Sequence, residues 1–236
     1  MRAMKRVLAA AVLGTSIGSG MVGAAIADPV LVELFTSQGC SSCPPADEIL
    51  GQLTDRDDVV ALSLHVDYWD YLGWKDPFAS PAFSERQRAY ARAAEKTMIY
   101  TPQMVVGGRD HVVGTKAMKL AADIQRHAEL PDRVQLEVGR TGDTLKIKAD
   151  MLVDINSDVM VYLVRYDPKK TTKIIKGENS GKTLDYHNVV TDWTALGRWT
   201  PSAPLTEEVK ISGDNPAVVI LQEGMSGPIL SVARID

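Results

Sequence analysis

From residue 30 to about 130 the apolar positions follow two periods, one of strands and one of helices. Val30 to Thr36 is an almost unbroken β-forming run, the pattern of a strand buried on both faces. Past Gly39, Pro44 and Pro45 stand where a first helical turn tolerates missing amide protons, and Asp47 and Glu48 suit its positive end. Ile49, Leu50 and Leu53 give this helix an apolar stripe, so it begins close to Cys43. Val59 to Val66 reads as a second strand, parallel to the first through the helical crossover. Ser80-Pro81 caps a second helix, with Phe83, Gln87, Tyr90 and Ala94 on one face. Met104 to Val106 and His111 to Val113, joined by Gly107-Gly108, form a hairpin. Thr115 is expected to cap a third helix carrying Leu120, Ala121 and Ile124.

After Pro131 the texture changes to short alternating runs with turn signals: 134–138, 145–151, 159–165, 172–176, 188–199, 209–211, 217–222 and 229–234. No clear helix interrupts them. The expected architecture is an α/β domain over residues 28–130, in the order β-α-β-α-β-β-α, followed by an all-β sandwich-like domain over residues 131–236.

The first 27 residues stand apart from this pattern. Arg2, Lys5 and Arg6 precede an apolar stretch ending Ala25-Ile26-Ala27, which reads as a cleavable signal peptide and predicts a periplasmic or secreted protein. Its removal takes away three positive charges and no negative one, moving the formal net charge from -4 to -7. That balance argues against a nucleic-acid partner, and no membrane insertion is expected after cleavage.

Export changes the meaning of the two cysteines, Cys40 and Cys43, since disulfides persist outside the cytosol. A bridge across so short a loop constrains the unfolded chain little, so a purely structural disulfide is the weaker reading. A strand that delivers Cys-x-x-Cys to a helix start suits thiol redox chemistry, because helix amides stabilise a thiolate. The loop from Asp67 to Pro77 crowds aromatics and carboxylates beside this turn. There His65 is either a hydrogen-bonded core histidine, a group that tunes the thiols, or a metal ligand. Asp67 and Asp70 are turn residues or proton acceptors for a thiol, and Trp69 and Trp74 line a groove or close a local cluster. Arg86, Arg88 and Arg92 read as a solvated helix face or an anion-neutralising one, and His127 as exposed. No P-loop, dinucleotide fingerprint or nucleophile elbow is present.

The element order, with Cys40-Ser41-Ser42-Cys43 after the first strand and Thr101-Pro102 before the third, resembles the thioredoxin-like superfamily. More closely, Glu33-Leu34-Phe35-Thr36-Ser37-Gln38-Gly39-Cys40-Ser41-Ser42-Cys43-Pro44-Pro45, His65-Val66-Asp67-Tyr68-Trp69-Asp70 and Tyr100-Thr101-Pro102-Gln103 resemble an uncharacterised family of bacterial secreted thioredoxin-like proteins bearing a domain of unknown function. The resemblance implies an exposed nucleophile at Cys40, a resolving thiol at Cys43 and a cis Pro102 whose neighbouring backbone, at Thr101, pairs with a bound partner. The expected activity is thiol-disulfide exchange with protein or small-molecule thiols and disulfides, without a cofactor. A second expectation is a copper carrier or assembly factor that holds Cu(I) on Cys40, Cys43 and His65, since soft thiolate and imidazole ligands suit that ion. A third is a non-enzymatic interaction module.

Overall fold

The computed structural model describes residues 28 to 235; the expected signal peptide lies outside the described residues. Strands β1 (Val30–Thr36) and β2 (Val59–His65) are parallel and fully buried, joined by helix α1 (Pro44–Leu53). Their register pairs Val30 with Val59 and Thr36 with His65. Helix α2 (Pro81–Ala93) follows the long loop, its first turn capped by the Ser80 side chain, which accepts from the Ala82 amide. Then come β3 (Gln103–Val106), antiparallel to β1, then β4 (Asp110–Val113) and helix α3 (Ala117–Ala128). Thr115 does not cap α3. The residue before that helix is Lys116, and no side chain bonds its first amides.

The later strands are β5 (Val134–Thr141), β6 (Thr144–Met151), β7 (Val159–Lys173), β8 (Thr183–Trp199), β9 (Leu205–Lys210), β10 (Ala217–Glu223) and β11 (Ile229–Ile235). Of the run expected separately at 172–176, only Thr172 and Lys173 are strand, as the outer end of β7, which pairs with β8 in one long antiparallel hairpin; residues 174–176 lie beyond it. An eight-stranded mixed sheet in the order β11-β10-β7-β8-β2-β1-β3-β4 runs across residue 130, and β5-β6-β9 form a separate antiparallel sheet. The junction is the parallel contact of β2 with β8, Ser63 opposite Val189. A strand edge left open on β2 has unpaired backbone groups that another strand can satisfy. There the Asn188 side chain also donates to the Ala61 carbonyl at 2.9 Å, from a left-handed backbone (φ 45°) that asparagine tolerates.

Strand alternation sorts the core into layers. Val30, Val32 and Leu34 point to α1 and α3, meeting Leu50, Leu53, Leu120 and Ile124. Leu31 and Phe35 point the other way, into a core shared by Phe83 and Tyr90 of α2 and by Tyr162, Val164, Val218 and Ile220 of the later strands. Val161, Leu163, Val219 and Leu221 face the small sheet, packing on Val134, Leu145 and Ile147 as one sheet stacks on another. No helix among the described residues is long and apolar enough to cross a membrane.

Two expectations about charged side chains are corrected. Arg86 is not on a solvated face: its guanidinium meets Glu33 of β1 at 2.6 Å, with the Glu33 side chain fully buried and that of Arg86 9% accessible. It also donates to Tyr90 Oη (2.7 Å) and Gln222 Oε1 (3.1 Å) and lies 3.9 Å from the centre of the Trp193 ring. Arg88 and Arg92 do face solvent, paired with Glu85. His127 is mostly covered, held to Asp110 at 2.7 Å and packed against Gly107, where a Cβ would fall 2.3 Å from its ring.

Removing one partner of a buried ion pair leaves an uncompensated charge. Arg86→Met is therefore expected to lower the unfolding free energy by about 3–5 kcal/mol. In urea melts, Glu33→Leu combined with Arg86→Met should recover part of that loss.

Candidate functional site

Past Thr36 the chain turns sharply. The Cys40 amide donates to Ser37 O (3.1 Å) and the Gly39 amide to Ser37 Oγ (3.1 Å), closing the turn before the helix. Gly39 is closely packed there: a Cβ would sit 3.1 Å from Trp69 Cβ and 3.2 Å from its carbonyl oxygen. Cys43 stands at the N-cap of α1 with Pro44 in its first turn, and it is joined to Cys40 in a disulfide with Cα atoms 5.4 Å apart. Ser42 Oγ lies 3.3 Å from Cys40 Sγ. The expected exposed nucleophile is not exposed: Cys40 is 2% and Cys43 0% accessible. The cause is tertiary, because segments distant in sequence fold over the turn.

Gln38 gathers most of those contacts. Its amide donates to Asp76 Oδ2 (2.8 Å), Trp74 Nε1 donates to its side-chain oxygen (2.8 Å), and its own Nε2 donates to Thr172 Oγ1 (3.2 Å). From the tip of the β7–β8 hairpin, Asn179 Nδ2 donates to the carbonyls of Gln38 (3.0 Å) and Cys40 (2.9 Å). Glu178 accepts from the Ser41 amide at 3.3 Å. The polar stretch around Glu178 and Asn179 thus lies on the cysteine turn. Trp69 bridges to the third strand, its Nε1 donating to Thr101 Oγ1 at 2.7 Å. The Thr101-Pro102 peptide is cis. Pro102 lies against the start of α1: a Cβ on Gly114 would meet both Ala46 Cβ (2.8 Å) and Pro102 Cβ (3.0 Å).

Beneath the turn sits a buried polar layer. His65 Nδ1 is 2.7 Å from Asp76 Oδ2, and the edges of Phe78 and Tyr186 close around its ring. Burial pushes the Asp76 carboxyl up, but the imidazole, its hydrogen bond and the Gln38 and Phe78 amides outweigh this and hold it below its ordinary value. Asp67 and Asp70 brace the loop: Ser84 Oγ donates to Asp67 at 2.5 Å, and Asp70 accepts from the Asp76 amide at 3.2 Å. Trp69 and Trp74 touch the turn itself. Among the described residues no three His, Cys, Asp or Glu side chains are grouped as a metal would need, so His65 does not join Cys40 and Cys43 in such a cluster.

The residue that sequence reasoning missed is Asp47. It read as a favourable charge at a helix start, yet it is only 4% accessible and neither carboxyl oxygen has a hydrogen-bond partner among the described residues. Its amide donates to Cys43 O at 3.1 Å, one helical turn on. The available signal was spacing, since 43, 47 and 50 share the buried face of α1. Burial pushes its carboxyl up to about 7 against the pull of the His65 imidazole. Thr36 Oγ1, His65 Nε2 and Tyr186 Oη are likewise buried without partners. Asp47 is also among the residues lining a groove of about 530 Å³ between α1 and β8, with Pro44, Glu48, Asp185 and His187.

Comparison with known proteins places these features in a wider group. The family model described as "Protein of unknown function (DUF1223)" matches residues 31–222. A crystal structure of a protein from Agrobacterium tumefaciens is 33% identical, covering 89% of this chain and 95% of its own, with a TM-score of 0.75. HBP35 of Porphyromonas gingivalis shares the fold at 16% identity and a TM-score of 0.58, covering 89% of this chain and 75% of its own. No match is found among curated proteins.

The buried Asp47 has a stability consequence. Its proton is held more tightly in the folded than in the unfolded chain, so the stability it contributes is present below about pH 4 and lost as pH rises through about 7. Thermal melts should show Asp47→Asn little changed at pH 4 but more stable than wild type at pH 8, by on the order of 1–3 kcal/mol.

Proposed function

We propose, for a chain that belongs to the DUF1223 family of proteins of unknown function, that it is an exported thiol-disulfide oxidoreductase built on a thioredoxin-like core. The observation that carries this reading is the Cys40–Cys43 disulfide at the start of α1, just after a buried parallel strand, with Pro102 lying close to Ala46 in the first turn of that helix. The β-α-β-α-β-β-α order of the first hundred described residues supports the thioredoxin-like assignment. The N-terminal sequence supports export.

In the reducing direction, a partner thiolate attacks Cys40 Sγ. The Cys40–Cys43 bond breaks, a mixed disulfide forms on Cys40, and Cys43 leaves as a thiolate that takes one proton. A second partner thiol then displaces Cys40, so two partner thiols become one disulfide and the pair becomes two thiols. Asp47, one turn from Cys43, is the group assigned to give that proton, and to take it back when the pair re-forms. A carboxyl near pH 7 in its affinity for a proton suits transfer in both directions. Trp69 and Thr101, hydrogen-bonded to each other and half-buried, are assigned to line the approach to the pair. The copper reading has less support, because His65 Nδ1 is already engaged by Asp76 and no three-ligand cluster is assembled among the described residues.

The test is redox titration of the purified chain in thiol-disulfide buffers, followed by alkylation and mass measurement. A reversible two-electron couple confined to Cys40 and Cys43 is expected, with Cys40→Ser at the uncatalysed background in an exchange assay and Cys43→Ser accumulating a mixed disulfide through Cys40. A pair that never cycles, or a Cys40→Ser variant as active as wild type, would overturn the reading.

A further inference from the structure

Both cysteines are buried, and the segment farthest away in sequence that bonds to their turn is the tip of the β7–β8 hairpin. Asn179 is 1% accessible, and its amide group gives both of its hydrogens to the turn, one to Gln38 O and one to Cys40 O. Lys182 Nζ holds the remaining oxygen at 2.9 Å, which fixes the orientation of the amide. The tip is a compact unit of its own: the Ile174 amide donates to Lys182 O and the Gly181 amide to Ile174 O, at 2.9 and 2.8 Å. Gly177 and Gly181 take left-handed backbone angles (φ 77° and 86°), which let the chain reverse so tightly. It rests on Trp74, whose Cβ lies 3.2 Å from the position a Gly177 Cβ would take.

These contacts are mostly polar. Each intramolecular hydrogen bond contributes modestly, because water replaces it when the tip lifts. Lifting the tip breaks hydrogen bonds to the turn rather than strand pairings of the sheet that carries it, and an attacking thiolate needs contact with the sulfur of a residue that is 2% accessible. We infer that the hairpin tip, held down by Asn179, is a gate on the Cys40 sulfur, and that it must open before any thiol can react. This inference rests on the oxidoreductase reading for its biological meaning. The gating step itself concerns access alone. Asn179 is a positioning residue: it touches the backbone of the turn and controls who arrives at Cys40 Sγ.

Gated access has a kinetic signature. When opening precedes attack, the rate of disulfide reduction by dithiothreitol, whose two thiols become its cyclic disulfide as the pair gains two electrons and two protons, rises with concentration and then levels off at the opening rate. Asn179→Asp keeps the side chain's size, removes both donated hydrogens and sets a carboxylate against two carbonyls. It is expected to raise the plateau by about tenfold or more. Lys182→Met, which frees the amide without altering it, should raise the plateau less and serves if Asn179→Asp does not fold, as judged by its circular dichroism. A wild-type rate that stays linear in dithiothreitol overturns the gate, and so does a plateau unmoved in the folded variants. If the gate behaves as expected but the pair supports no catalysed exchange, the oxidoreductase reading fails while the gate stands.

Discussion

The carboxylate of Glu33 lies in the middle of β1, a strand of the large sheet buried along its whole length, with no access to solvent. A charge in that position needs a partner, and Arg86 reaches it from α2 with Tyr90 bonded to both. This knot pins α2 to the sheet. Because Arg86 and Tyr90 also meet Gln222, Tyr162 and Trp193, it binds the later strands to the same point. The start of α2 is fixed in turn by the Ser80 amide on His65 O at 3.0 Å. The loop between β2 and α2 is thus anchored at both ends, and it is this loop that lays Trp69, Trp74 and Asp76 on the cysteine turn.

Two buried carboxyls under that turn show how environment assigns roles. Asp76 accepts from the Gln38 and Phe78 amides and contacts the His65 ring, so its charged form is favoured. Asp47 accepts no backbone amide and has only the Thr36 hydroxyl and the His65 imidazole to favour its charge, so burial prevails and its neutral form is favoured. The first is a bracket for the loop. The second holds a proton within one helical turn of Cys43, where proton movement accompanies the proposed exchange.

The elements nearest the site were legible because their signals are local. The apolar runs of β1 and β2, the prolines after Cys43 and the Ser80-Pro81 cap all act over a few residues, and each marks its element correctly. The strands after residue 131 were also readable as strands, but their membership of the large sheet was not, since one parallel contact at Ser63 and Val189 decides it. Side-chain burial failed for the same reason. Arg86 sits among Arg88 and Arg92 and has no local mark that separates it from them; only Glu33, far back in the chain, does so. Asn179 carries no local mark of its position, because the carbonyls it serves belong to residues 38 and 40.

The disulfide itself adds little to holding this fold together. It closes a loop too short to restrict the unfolded chain much, while three apolar clusters already bind the layers. The residues around it even oppose stability: an unpartnered carboxyl in Asp47 and unpartnered atoms on Thr36, His65 and Tyr186 are each unfavourable when buried. Structures keep such local conflicts where the conflict serves another purpose, and elsewhere replace them with apolar packing. Here they lie on β1, β2, α1 and β8, the elements next to the turn that holds the disulfide, and the proposed gate is bonded to that turn through polar groups. That combination is what the proposed exchange needs of the turn, and in that proposal the later strands belong to the same device as the cysteines.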